Sequence, residues 1–81
     1  MINENSKVKE WYITEYTTDE LGNEINDSIT FYDVFYALDR HKDIYDLLGV
    51  EDSIVRERVF EKLAKIMGVD YEYIYSQYMS Y

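Results

Sequence analysis

KVKEWYITEYTTDELGNEINDSIT, residues 7–30, is the stretch that decides the fold class. Split as KVKEWYITEYTTDE, LGNE and INDSIT, it reads as a β-hairpin. Gly22-Asn23 supplies a two-residue loop, because both central residues of a tight hairpin turn must tolerate positive φ. With that loop, Glu20 faces Ile25, Thr18 faces Asp27 and Tyr16 faces Ile29. Residues two apart share a face. Tyr12, Tyr16, Ile25 and Ile29 then gather on one side, and Trp11, Ile13 and Leu21 on the other. A lone hairpin is marginally stable, so this one requires helices to pack against.

The rest of the chain supplies them. Thr30 opens a first helix with Asp33 as its capping-box partner, and Phe31, Val34, Phe35 and Leu38 recur at helical spacing as its buried stripe. A short second helix, about 43–48, presents Ile44, Leu47 and Leu48, and Gly49 stops it in the left-handed conformation. A third helix runs from Asp52 or Ser53 to Met67, with Val55, Val59, Phe60, Leu63, Ile66 and Met67 on its apolar face. Gly68 ends it, and Asp70 caps a fourth helix, 71 to about 79, built around Ile74. The expected class is α+β, with an N-terminal β-hairpin packed on three to four helices that end in a helix-turn-helix-like corner. Residues 1–6 read as a flexible terminus and 7–81 as a single small domain.

Charge is the strongest compositional signal. Seventeen acidic residues face eight basic ones, for a formal charge of −9. Between Glu10 and Asp52 lie 12 carboxylates and two cations, Arg40 and Lys42. Between Ile54 and Val69 the sign reverses, with Arg56, Arg58, Lys62 and Lys65 against Glu57 and Glu61. Such a field attracts basic partners and repels nucleic acid. No cysteine is present, so neither a disulfide nor a thiolate metal site reinforces the domain. The polar start MINENSKVKEW lacks the apolar run of a signal peptide. No stretch reaches the roughly 18 apolar residues of a membrane span. The expected location is the cytoplasm, and the composition, rich in Tyr, Asn and Ile without Pro, suggests a bacterial or mobile-element origin.

LAKIMGVDYEYIYSQY, residues 63–78, resembles the phage-repressor class of helix-turn-helix. Ala64 lets two helices approach, Gly68 makes the turn, Val69 plugs between the helices and Ile74 anchors the second helix. The resemblance implies that Asp70, Tyr71, Glu72, Tyr75, Ser76 and Met79 face the DNA groove. Readers of base edges rely on Arg, Lys, Asn and Gln and fix their register with cations on phosphates. Asp70 and Glu72 would instead place carboxylates at the mouth of the groove. Arg58, Lys62 and Lys65 form a cationic stripe on the preceding helix, with Glu61 placed to pair with Lys65.

Two other surfaces compete for function. Asp19, Glu20, Glu24 and Asp27 crowd the hairpin, and a rigid array of carboxylates can imitate duplex DNA, which carries one charge per roughly 1.7 Å of axis. Tyr71 and Tyr75 offer rigid amphipathic contact area of the kind enriched in binding hot spots. Enzyme chemistry finds no support. His41, the sole histidine, has no nucleophilic partner that spacing justifies, and DELGNEINDS lacks the ligand order of a calcium loop. No cofactor is expected. The reading is a small, acidic, non-enzymatic protein-interaction module whose sharpest form is a DNA-mimic inhibitor of a DNA-binding protein, with Asp19, Glu20, Glu24, Asp27, Tyr71 and Tyr75 as contact residues. The alternative is a helix-turn-helix transcriptional regulator binding DNA as a dimer through Arg58, Lys62 and Lys65.

Overall fold

The computed structural model describes residues 9–25 and 31–81. Among these residues the chain forms five helices and no sheet: α1 (Glu10–Thr17), α2 (Phe31–Arg40), α3 (Lys42–Leu47), α4 (Asp52–Met67) and α5 (Tyr71–Ser80). The expected terminus 1–6, the returning strand from Asn26 onward and the Thr30 cap lie outside the described residues.

The expected N-terminal β-hairpin is corrected to a helix and a turn. Where the first strand was expected, Tyr12, Ile13, Tyr16 and Thr17 are buried together on one face of α1. That i, i+1, i+4, i+5 pattern is helical and cannot be made by a strand. Tyr12 and Tyr16, four apart, share a face in either conformation, so the spacing that supported the hairpin was equally compatible with a helix. Two threonine hydroxyls belong to the helical form. Thr17 Oγ1 donates to the Ile13 carbonyl at 2.9 Å and Thr18 Oγ1 to the Thr14 carbonyl at 2.7 Å, which satisfies a buried hydroxyl locally. Packing thus overrides β propensity.

The chain does reverse where Gly22 and Asn23 suggested, by another device. Asp19 accepts the backbone N–H groups of Leu21 and Asn23 at 2.9 Å each through Oδ1. The Gly22 N–H meets the Asp19 carbonyl, and Gly22 takes φ +85°. A single antiparallel bridge, Thr18 with Glu24, is all that remains of the hairpin among the described residues.

The helices after the turn follow the sequence closely. Phe31, Val34, Phe35 and Leu38 are buried on α2, and Val55, Val59, Phe60 and Leu63 on α4, while Ile66 and Met67 are half-buried. α4 is the longest element and packs against α1, α3 and α5. Its Phe60 is fully buried and meets Phe35 edge-on at 5.5 Å between ring centroids. Such aromatic pairs contribute about 0.5–1.5 kcal/mol beyond burial.

α3 is rotated relative to expectation. Tyr45 is its buried residue, while Ile44, Leu47 and Leu48 are 51%, 88% and 53% exposed. Gly49 beyond it and Gly68 after α4 are both left-handed. At the α4–α5 corner, Ala64 and Ile74 are buried as expected, and Val69 is 37% exposed. Asp70 occupies the first cap position of α5 without a side-chain bond to the helix.

Helix and hairpin make different predictions for α1. The hairpin placed Trp11 and Ile13 on one face, whereas here Trp11 is 60% exposed and Ile13 only 2%. Ile13→Ala is expected to lower unfolding free energy by about 2–4 kcal/mol, and Trp11→Ala by about 1 kcal/mol or less. Urea unfolding of both variants checks this, and equal losses would restore the strand.

Candidate interaction surface

Of the four carboxylates proposed as contacts on the hairpin, the three described ones are placed differently. Asp19 holds the turn through two backbone bonds. Glu20 is exposed beside it. Glu24 lies 3.7 Å from the ammonium of Lys62 on α4. Asp27 lies outside the described residues.

Tyr71 and Tyr75 stand one turn apart on α5, their rings stacked at 6.3 Å and 25°. Both reach Phe60, at 6.1 Å and 6.4 Å. Tyr71 is half-buried by that contact, while Tyr75 is 42% exposed. Burial, with the charge of Glu57, pushes the Tyr71 hydroxyl above its ordinary value, against the pull of Arg56. The acidic and tyrosine groups do not form one site. Glu24 is tied to Lys62 and the tyrosines to Phe60, and residues two apart on a helix point about 200° apart. α4 therefore holds the two groups on opposite flanks.

Two cations of the α4 stripe lie beside carboxylates. Arg58 approaches Glu10 of α1 at 3.9 Å, and Lys62 approaches Glu24. A shallow groove of about 250 Å³ between the helices is lined by Glu10, Ile13, Arg58, Glu61, Lys62 and Lys65. Together with Glu24, three carboxylates face three cations there. Each exposed pair contributes only about 0–1 kcal/mol, so the pairs matter for the field they cancel. The expected Glu61–Lys65 pair is not among the ion pairs of the described residues; the partners come from α1 and the turn. On α5 the set expected to face DNA is exposed at Asp70, Glu72, Tyr75, Ser76 and Met79, and that helix carries no cation.

Two polar networks escaped sequence reasoning. Tyr16 Oη lies 2.6 Å from His41 Nδ1 and 2.7 Å from Tyr45 Oη, which joins α1, α3 and the junction before α3. Burial, then the bond to Tyr45, pushes the Tyr16 hydroxyl far above its ordinary value. Burial also raises Tyr45, although the Tyr16 bond opposes that rise.

The second network centres on Asp39 of α2. Tyr78 donates to Oδ1 at 2.9 Å, Tyr81 donates to Oδ2, and Lys42 lies 3.8 Å away. The guanidinium of Arg56 sits 5.3 Å above the Tyr78 ring. Burial works to raise the Asp39 carboxyl, but the two phenol donors with Lys42 and Arg56 outweigh it and hold the carboxyl low. The same bond to Asp39 lifts the Tyr81 hydroxyl to about 12. No local spacing announces these contacts, since the partners are 39 and 42 residues apart.

No protein-family model, curated protein or solved structure matches the chain. Among the described residues no helix is long and apolar enough to cross a membrane, and no group of three or more side chains is placed to hold a metal ion.

The Asp39 network should be visible in acid. A carboxyl held low when folded stabilises the fold above its ordinary value of 3.8, and that stabilisation is lost as pH falls through the folded value. Asp39→Asn is expected to cost on the order of 1 kcal/mol at neutral pH. The gap between wild type and variant should close below pH 3.8. Urea midpoints measured across pH give the result, and a gap unchanged by pH would show that the carboxylate charge plays no part. At the alkaline end, Tyr81 contributes stability that is intact below pH 10 and gone by about 12.

Proposed function

We propose that this chain is an acidic, non-enzymatic protein-interaction module acting in the cytoplasm on a partner with a basic surface. One observation carries the proposal. In the stripe of Arg58, Lys62 and Lys65, which a helix-turn-helix regulator would set on phosphates, Arg58 lies beside Glu10 and Lys62 beside Glu24, and Glu61 lines the same groove as Lys65. The strongest candidate for a DNA-facing surface therefore carries as many carboxylates as cations, and the surplus of the chain remains acidic. A balanced face next to an acidic one gains little from the counterion release that drives binding to nucleic acid. Inhibition of a DNA-binding protein by imitation of its ligand is the most specific form of this reading, and the exposed Glu20 and the turn around Asp19 supply part of its charge.

The test is a fluorescence titration with duplex DNA at about 50 mM salt, where phosphate contacts are strongest. No saturable binding is expected. Saturable, sequence-dependent binding that disappears in Lys62→Glu/Lys65→Glu would overturn the reading in favour of the regulator. In parallel, affinity capture from nuclease-treated lysate should recover a partner that elutes at low or intermediate salt and is displaced by added duplex. Joint neutralisation of Asp19, Glu20, Glu24 and Asp27 should weaken that capture, and unchanged capture would remove the acidic turn from the interface.

A further inference from the structure

Resting on the acidic-module reading, we propose that the outer face of α3 is a docking site for a basic amphipathic helix of the protein partner. Ile44, Leu47 and Leu48 stand at i, i+3, i+4 and form one apolar ridge, exposed by 51%, 88% and 53%. Burying one such side chain fully is worth about 1.5–3 kcal/mol, so a monomer forgoes appreciable stabilisation by turning this ridge outward. Tyr45 prevents the helix from turning it inward. Its ring is buried against Tyr12 at 5.3 Å, and its hydroxyl is committed to Tyr16.

The rim of the ridge selects the occupant. The segment DIYDLLGVED, residues 43–52, carries Asp43, Asp46, Glu51 and Asp52 and no cation. Only Asp52 has an ion-pair partner among the described residues, Arg56 at 4.0 Å. Asp43 lies about 100° from Ile44 and borders the ridge along the helix. Beyond the helix end, a shallow groove of about 470 Å³ lined by Asp46, Val50, Glu51 and Asp52 extends the acidic edge. A second copy of this chain would bring the same carboxylates against themselves, and an anionic lipid surface would be repelled likewise. The complement is an apolar stripe flanked by Lys or Arg, as on a basic amphipathic helix, whose anchors recur at the same i, i+3, i+4 spacing.

The probe is a synthetic Leu/Lys peptide of about 18 residues, five helical turns. Its leucines are placed on one helical face, and a scrambled peptide of equal composition is the control. Both are titrated into the isotope-labelled full chain at about 0.15 M ionic strength, where long-range charge effects are screened. The periodic peptide should bind at least about tenfold more tightly, a difference of about 1.4 kcal/mol, with amide shifts concentrated over residues 43–52. Leu47→Glu should erase that preference even though it makes the chain more acidic. Leu47 is almost fully exposed, so the substitution leaves the core intact, and Leu48→Ser gives a second reading without added charge. Equal binding of the two peptides, or an unaffected preference in both variants, would overturn the α3 site and leave the acidic-module reading standing. Both titrations are repeated at about 50 mM salt, where charge attraction is strongest, and failure of both peptides to bind there would overturn both readings.

Discussion

The hydroxyl of Tyr16 is the group on which most of this arrangement depends. It is buried between helices, and a buried hydroxyl without a partner costs about 1–3 kcal/mol. Its partners, His41 Nδ1 and Tyr45 Oη, lie 25 and 29 residues away. To meet both, α1 must turn its Tyr12–Tyr16 face toward α3, and α3 must turn Tyr45 inward. The first requirement buries Ile13 and Thr17 as neighbours on a helix. The second turns Ile44, Leu47 and Leu48 to the surface, because a helix of six residues has too few turns to bury opposite faces at once. Thus one polar contact goes with the rotation of two helices and with an aliphatic ridge on the outer face of α3.

A chain this small has little core with which to set such choices. An apolar core tolerates alternative packings of similar volume, whereas a buried polar chain is satisfied in one geometry and penalised in others. Tyr16, Tyr45 and His41 confer that selectivity where α1 meets α3. Asp39 collects the hydroxyls of Tyr78 and Tyr81 and secures α5 against α2. The rest of the core is aromatic and aliphatic, with Phe35, Phe60, Leu63 and Ile74 fully buried.

How much of this was legible follows from the range of each signal. α2 and α4 were readable because their apolar residues repeat over several turns, and the glycines at 49 and 68 mark their conformations locally. α1 was misread because Tyr12 and Tyr16 fit both periods. Ile13 beside Tyr12, with Thr17 beside Tyr16, was the available discriminator, and the Gly22-Asn23 pair outweighed it. The turn itself is real, but Asp19 makes it through local backbone bonds that require no strands. The face of α3 was illegible for a different reason. Three aliphatics on a short helix read as core by any local rule, and only a tyrosine contact across 29 residues reverses them. Of the proposed contact residues, the split of Glu24 from Tyr71 and Tyr75 by α4 likewise depends on tertiary packing.

The α4–α5 corner shows how far shape and function separate in this chain. Ala64, Gly68 and Ile74 generate a tight helical corner through size and backbone freedom alone, and these properties carry no information about a ligand. What a corner binds depends on what its outer faces carry. α5 and its cap carry Asp70, Glu72 and tyrosines, while Arg58 and Lys62 on α4 are held beside Glu10 and Glu24, which reach them from α1 and the following turn. The N-terminal segment therefore does more than complete the core. By folding as a helix and a turn across α4, it sets Glu10 beside Arg58 and Glu24 beside Lys62. It also anchors the tyrosine that turns the apolar ridge of α3 outward. Both effects depend on residues 10–24 taking the helix-and-turn form in place of the hairpin.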